Sequence, residues 1–156
     1  MLVVIYETKF SSPFSILVSM VTASGYSHGA IVHNGVLYDT TMSRGKFSKG
    51  TKVDDKRKVA VVEIDGSCQA WLQAHIGSKY DWVGLLLWPL GLAVAGRMYC
   101  FNVVERALNS AGVQINLGWR KSGGSILSKL LDLGYPVEVM HGKDFNERYL
   151  KHDGIW

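Results

Sequence analysis

The sequence predicts an α+β fold in which an antiparallel sheet packs against a helix that begins at a cysteine. Short β-rich segments at 1–7, 26–41 and 58–65 supply strands for the sheet. Segment 98–111, "MYCFNVVERALNSA", has apolar residues at helical spacing, and Cys100 stands in its opening turn. With 156 residues, 47% of them hydrophobic, the chain is long enough to bury a substantial core in one domain.

Local signals place the other elements along the chain. Ser12 as an N-cap and Pro13 at the first helical position open a helix that continues to Val21. Asn34 and Gly35 accept the positive φ angles of a type I′ turn, so a hairpin is expected around them. The remaining predicted elements are helices at 67–77, 79–88 (ending near Pro89) and 122–134, a strand at 135–140, and a polar, peripheral tail from about 141. Residues 42–57 are interpreted as a loop that borders the groove.

Composition and charge exclude several classes of protein. The net charge of +4 is mild, and only "DDKRK" at 54–58 forms a cluster, so we expect a solvated turn there and no nucleic-acid site. The longest apolar run, 83–95, is shorter than the ~20 residues of a membrane-spanning helix. The opening segment "MLVVIYETKF" lacks the features of a signal peptide. We therefore expect one domain over 1–156, without a transmembrane segment, in the cytoplasm or associated with a virion.

The predicted hairpin brings a histidine and an aspartate together. With Asn34 and Gly35 as the loop, Ala30 faces Asp39 across the ladder, and His28 lies two residues before Ala30 on the same face. The diagonal distance between His28 and Asp39 is within reach of an imidazole and a carboxylate. A carboxylate in that place holds the imidazole in one tautomer and stabilises its charged form.

Cys100 is the candidate partner for this pair. The start of a helix favours a thiolate through the macrodipole, and a nearby protonated histidine favours it further. Cys100, His28 and Asp39 thus have the types of a nucleophile, a general base and a group that orients the base. The alternative is that Cys100 is a small buried hydrophobic residue and that His28 and Asp39 are ordinary strand residues. Cys68 is interpreted as structural, and no Cys/His spacing matches a zinc site, so we expect neither a metal nor another cofactor.

The order of three segments is more specific than any one of them. A histidine in "YSHGAIVHNGVLYDTT" is followed by "YDWVGLLLWPLG" and then by a cysteine at a helix start in "RMYCFNVVERALNSAG". This order resembles the circularly permuted branch of the NlpC/P60 papain-like superfamily, the YiiX/YebB-type amidases, in which the histidine precedes the cysteine. A helix before the histidine and a short helix after the cysteine extend the resemblance over roughly residues 1–140.

The resemblance implies a permuted papain-like fold and the activity of a cysteine peptidase or amidase. By motif match, Cys100 is the nucleophile, His28 the base and Asp39 the third residue. The oxyanion hole would use the Cys100 backbone N–H and one further donor. Three tyrosines are candidates for that donor: Tyr26, Tyr80 and Tyr99. The implied substrate is a peptide, including the stem peptides of peptidoglycan, reached through a delivery or assembly partner.

Two departures from the family pattern keep other functions open. Many members follow the cysteine with Ser-Glu and use Glu or His as the third residue, whereas this chain has Phe101-Asn102 and Asp39. One alternative is a catalytically inert papain-like module that binds within a larger assembly, including that of a phage. Another is a thiol hydrolase or acyltransferase that acts on lipid esters or amides.

Overall fold

The computed structural model describes residues 1–41, 43–87, 97–118 and 121–150, which form a mixed structure with one antiparallel sheet and six helices. The strands are Leu2–Glu7 (β1), Tyr26–His33 (β2), Val36–Thr41 (β3), Lys46–Lys49 (β4), Lys58–Glu63 (β5) and Val137–His141 (β6). The helices are Pro13–Val21 (α1), Gln69–His75 (α2), Trp82–Leu86 (α3), Cys100–Ser110 (α4), Gly123–Asp132 (α5) and Gly142–Tyr149 (α6). The strand order is β4-β3-β2-β1-β5-β6, with antiparallel neighbours throughout. The predicted α+β class with an antiparallel sheet is confirmed.

Helix α1 begins where the capping signals predict it. The Ser12 side chain accepts a hydrogen bond from the backbone N–H of Ser15. Pro13 occupies the first turn, where its missing N–H has no helical acceptor to lose. Val18, on the inner side of the helix, is completely buried and attaches α1 to the core.

The hairpin of β2 and β3 has the predicted turn and register. Asn34 and Gly35 have φ angles of 53° and 77°, the left-handed values that a type I′ turn requires. Ala30 pairs with Asp39 across the ladder, as predicted. Because side chains alternate along each strand, this register places His28 on the same face as Asp39.

Helix α4 packs its apolar face against the middle of the sheet. Phe101, Val104 and Leu108 recur at three- and four-residue spacing and are completely buried. Gly29 of β2 permits a close approach, since a Cβ atom there would lie 3.0 Å from Val104 Cγ2 and 3.3 Å from Phe101 Cδ1. This packing holds the start of the helix, and with it Cys100, beside β2.

The prediction of a peripheral tail from about residue 141 is wrong. Its residues Gly142–Tyr149 form helix α6, which covers the opposite face of the sheet from α4, and its last residues, 151–156, lie outside the described part of the chain. Phe145 is completely buried in a cluster with Val4 and Val53. The Asn146 side chain accepts the Val53 N–H at 2.9 Å and donates to the Val53 carbonyl at 2.8 Å. Phe145 and Tyr149 are the main apolar side chains of this helix, so its hydrophobic pattern is weak even though the helix is firmly docked.

Two other segments differ from the prediction. Residues 42–57, expected to be a loop, contain strand β4. The strand forms because the completely buried Phe47 packs in the core, and because β4 pairs with β3 on one side and hydrogen-bonds to residues 77–78 on the other. The helix expected over 79–88 begins only after Asp81, whose side chain caps the Gly84 N–H at 2.7 Å. The predicted end of that helix near Pro89 lies outside the described residues. No helix of the described chain has the length and apolar character needed to cross a bilayer.

Candidate active site

A cavity of about 300 Å³ lies at one end of the sheet, where β1 and β3 end and β2 and β5 begin. His28 and Cys100, which are far apart in the sequence, both line it, together with Arg57, Tyr80 and several serine and threonine side chains. Because the lining residues stand at strand ends, side chains from both faces of the sheet reach the cavity. The fold therefore brings the predicted histidine and cysteine to one opening.

His28 and Asp39 form the contact that the hairpin register predicts. His28 Nε2 lies 3.1 Å from Asp39 Oδ2, and the two side chains are 17% and 8% exposed. Arg44, in the turn after β3, donates from Nη2 to Asp39 Oδ1, so both carboxylate oxygens have partners. Burial raises the pKa of Asp39, but the hydrogen bonds and charges of His28 and Arg44 outweigh burial and lower it below its ordinary value. An ionised Asp39 is thus available to orient the imidazole.

Cys100 is the second group that acts on His28. Both side chains line the same cavity, and because Asp39 engages Nε2 of the ring, Nδ1 is the ring nitrogen that remains for the sulfur. Burial lowers the pKa of His28, but the hydrogen bonds and charges of Asp39 and Cys100 outweigh burial and raise it to about 9. His28 therefore carries its proton at neutral pH, in the same cavity as the candidate nucleophile.

We expect the His28 imidazolium to make stability depend on pH between 6.5 and about 9. The folded protein holds this proton up to about pH 9, whereas the unfolded chain releases it near 6.5. The stabilisation is therefore complete below 6.5 and is lost as the pH rises through about 9, by roughly 3 kcal/mol of the free energy of unfolding. Urea unfolding at a series of pH values should show this loss in the wild type and much less of it in His28→Gln. Equal slopes in the two proteins would contradict the raised pKa.

Tyr80 is the tyrosine that the structure brings to the cavity. Of the three tyrosines considered as oxyanion donors, Tyr26 and Tyr99 are not in the described part of the cavity lining. Tyr80 is 3% exposed, and burial together with the charge of Cys100 raises its pKa, so the phenol keeps its proton and can donate. Its backbone forms a bridge with Met98, which ties it to the segment just before α4.

Two arginines of the site were missed from the sequence. Arg44 falls in the stretch expected to be a loop, and Arg57 belongs to the "DDKRK" cluster interpreted as a solvated turn. The structure instead places Arg44 on Asp39 and Arg57 in the cavity wall. The available signal was their position, since each stands in a turn directly after or before a strand that contributes to the site.

Comparison of the chain with protein-family models, with curated proteins and with solved structures found no match. Cys68 and Cys100 are both free thiols. Within the described ranges, no group of three His, Cys, Asp or Glu side chains is placed to hold a metal ion. What the site does is therefore inferred from its own geometry.

Proposed function

We propose that the protein is a cysteine hydrolase that cleaves an amide bond of a peptide through an acyl-enzyme intermediate on Cys100. The observation that supports this most strongly is that His28, which lies 3.1 Å from Asp39, and Cys100 line the same cavity. A cysteine that served only as a small hydrophobic residue would need neither a charged partner nor an opening to a cavity. Perturbed titratable groups that meet in a cleft are typical of catalytic sites.

In the proposed reaction, the sulfur of Cys100 attacks the carbonyl carbon after its proton has passed to His28. An S–C bond forms, and an electron pair of the C=O bond moves to the oxygen. The Cys100 backbone N–H, at the first position of α4 where it has no helical acceptor, and the Tyr80 hydroxyl donate to this oxyanion. The imidazolium then gives its proton to the leaving nitrogen as the C–N bond breaks, and a thioester remains.

Water releases the acyl group in the second half of the reaction. Neutral His28 takes a proton from a water molecule, whose oxygen adds to the thioester carbonyl. The S–C bond breaks, sulfur leaves as the thiolate beside the imidazolium, and the product is a carboxylic acid. Asp39 keeps the ring in one orientation through both steps and stabilises its charged form.

The proposal includes a permuted papain-like fold of the NlpC/P60 type. The strands that carry His28 and Asp39 precede α4 in the chain, and α4 packs against β2 with Cys100 at its start. This order and packing support the resemblance in the sequence. A stem peptide of peptidoglycan belongs to the proposed substrate class, and a delivery or assembly partner would bring the domain to it.

The activated ester p-nitrophenyl acetate tests the nucleophile without knowledge of the natural substrate. We expect a burst of about one equivalent of p-nitrophenol, followed by slower turnover as the thioester is hydrolysed. Peptide mass spectrometry should find the acetyl group on Cys100. Cys100→Ala should abolish the burst, whereas the control Cys68→Ser, which changes the other free thiol, should keep it. A burst that survives Cys100→Ala, or a wild type without acetylated Cys100, would rule out the proposed hydrolase.

A further inference from the structure

Arg57 lies in the cavity wall without a direct counter-ion. Its Nε donates to the Glu7 carbonyl at 2.8 Å, its Nη2 donates to Ser27 Oγ at 2.5 Å, and its Cζ lies 4.9 Å from the centre of the Tyr6 ring. Among the described residues, no carboxylate forms an ion pair with this guanidinium. A carbonyl, a hydroxyl and an aromatic face therefore hold the cation in place while its charge stays available.

The position of Arg57 is fixed by the backbone on both sides. Its N–H donates to the Asp54 carbonyl at 3.0 Å, and its carbonyl accepts the N–H of Gly142 at 2.8 Å. Burial lowers the pKa of Arg57, although a guanidinium stays charged at ordinary pH. Holding a partly buried cation without a counter-ion costs free energy of desolvation. An anion that entered the cavity and paired with Arg57 would offset this cost.

Two serine hydroxyls extend the wall beside Arg57. The register of β1 and β2 is irregular between Tyr6 and Glu7, where Ser27 is the unpaired residue of a bulge. A bulge changes the direction of side chains, and both Ser27 and the next residue, His28, line the cavity. Ser15 Oγ lies 2.6 Å from Ser27 Oγ and adds a second hydroxyl. One of the two serine protons is used in this contact, so the wall offers a charged fork and one hydroxyl donor.

Thr40 gives an independent indication that the cavity holds a polar ligand. Its side chain is completely buried and lines the cavity, yet its Oγ1 has no hydrogen-bond partner. A buried hydroxyl without a partner costs free energy that a polar ligand atom would recover. Cys100 and Arg57 both line this small cavity. An anion held by Arg57 would therefore lie close to the reactive sulfur.

Arg57 also lines a second cavity, of about 450 Å³. Lys9, Lys56 and Lys58 line it, and Lys9 is paired with Asp54 at 2.6 Å. Its basic side chains outnumber its acidic ones, so its field attracts negatively charged chains.

We propose that Arg57, with the one hydroxyl proton that the Ser15–Ser27 pair has left, binds a substrate carboxylate next to the carbonyl that Cys100 attacks, so that the substrates are acidic peptides. This inference rests on the proposed hydrolase function and gives it a specificity. The planar guanidinium presents parallel N–H groups that match the two oxygens of a carboxylate. A cavity of about 300 Å³ is at the small end for a ligand site and suits a short acidic side chain.

Iodoacetate and iodoacetamide form the same S–C bond with the thiolate and release iodide, but only iodoacetate carries a carboxylate. Relative to a free cysteine peptide, Cys100 should favour iodoacetate by about tenfold, the effect of one charge-assisted hydrogen bond. Arg57→Gln should lower the ratio of the iodoacetate rate to the iodoacetamide rate to that of the free cysteine peptide. Lys56→Gln, which removes the neighbouring cation, should keep the preference. Equal preferences in the wild type and Arg57→Gln would overturn the carboxylate site and leave the hydrolase standing, whereas a Cys100 inert to both reagents would overturn the hydrolase.

A binding measurement on the wild type tests the site without a variant or a reaction. Titration with the dipeptide analogue Ac-Glu-NH₂ should shift the NMR signal of the Arg57 Nε–H saturably, and the neutral Ac-Gln-NH₂ should not. If Ac-Glu-NH₂ did not shift the signal, the proposal would be overturned. Inorganic phosphate that shifted the signal as strongly as Ac-Glu-NH₂ would mark a general anion site and overturn the assignment to a carboxylate.

Discussion

Replacing His28 with alanine should lower the rate at which p-nitrophenyl acetate acylates Cys100 at neutral pH by about 10²–10⁴-fold, the usual contribution of a general acid or base. The imidazole lies 3.1 Å from Asp39 and shares a cavity with Cys100, and these two neighbours raise the pKa of His28 to about 9 against the effect of burial. Without it, the sulfur loses its proton acceptor and the positive charge that stabilises the thiolate. Stopped-flow measurement of the p-nitrophenol burst gives the rate directly.

Iodoacetamide labelling separates the two parts of this effect, because alkylation needs a thiolate but no proton transfer to a leaving group. At neutral pH, wild-type Cys100 should react faster than Cys100 of His28→Ala, because only the wild type holds a positive charge beside the sulfur. His33→Ala, on the opposite face of β2, should behave like the wild type. If His28→Ala kept the wild-type rates of acylation and labelling, the histidine would not be the base.

Replacing Phe145 with alanine should lower the free energy of unfolding by about 3–5 kcal/mol, the usual cost of truncating a buried aromatic residue. The Phe145 side chain is completely buried, shares a cluster with Val4 and Val53, and has its ring centre 5.3 Å from that of Tyr149. Few other apolar side chains of α6 could close the space that the ring would leave. Urea unfolding monitored by circular dichroism measures the change.

Phe10→Ala is the matched control, since the same side chain is removed from a position that is 82% exposed. Its effect should stay within about 0.5 kcal/mol. Similar losses in Phe10→Ala and Phe145→Ala would contradict the docking of α6. Because Gly142 of α6 holds the Arg57 carbonyl, Phe145→Ala should also weaken the preference of Cys100 for iodoacetate.

The contact between His28 and Asp39 could be predicted because it depends on short-range geometry. Asn34 and Gly35 permit one tight turn, and that turn sets one register. The alternation of side chains along the strands then places His28 and Asp39 on one face. The start of α1 at Ser12 is of the same kind, since a cap and the residues it serves are neighbours in the chain. The position of Cys100 at the start of α4 likewise follows from local pattern.

The distant parts of the site depend on how these elements pack, which no local pattern records. Helix α6 is held by Phe145 and by the Asn146 side chain on a loop far away in the sequence, so a mainly polar segment becomes part of the core. That docking in turn fixes Arg57, whose sequence neighbourhood has the composition of a solvated turn.

The sequence by itself determined the α+β class, the turn that pairs His28 with Asp39, and a cysteine at a helix start. Only the tertiary structure decided that this cysteine lines the same cavity as the histidine, and that Tyr80 and Arg57 line this cavity as well. The physical reason is the range of the forces that act. Turns, caps and alternation are satisfied within a few residues, whereas a cavity exists only after burial of Phe101, Phe145 and their neighbours has brought distant strand ends and helix starts together.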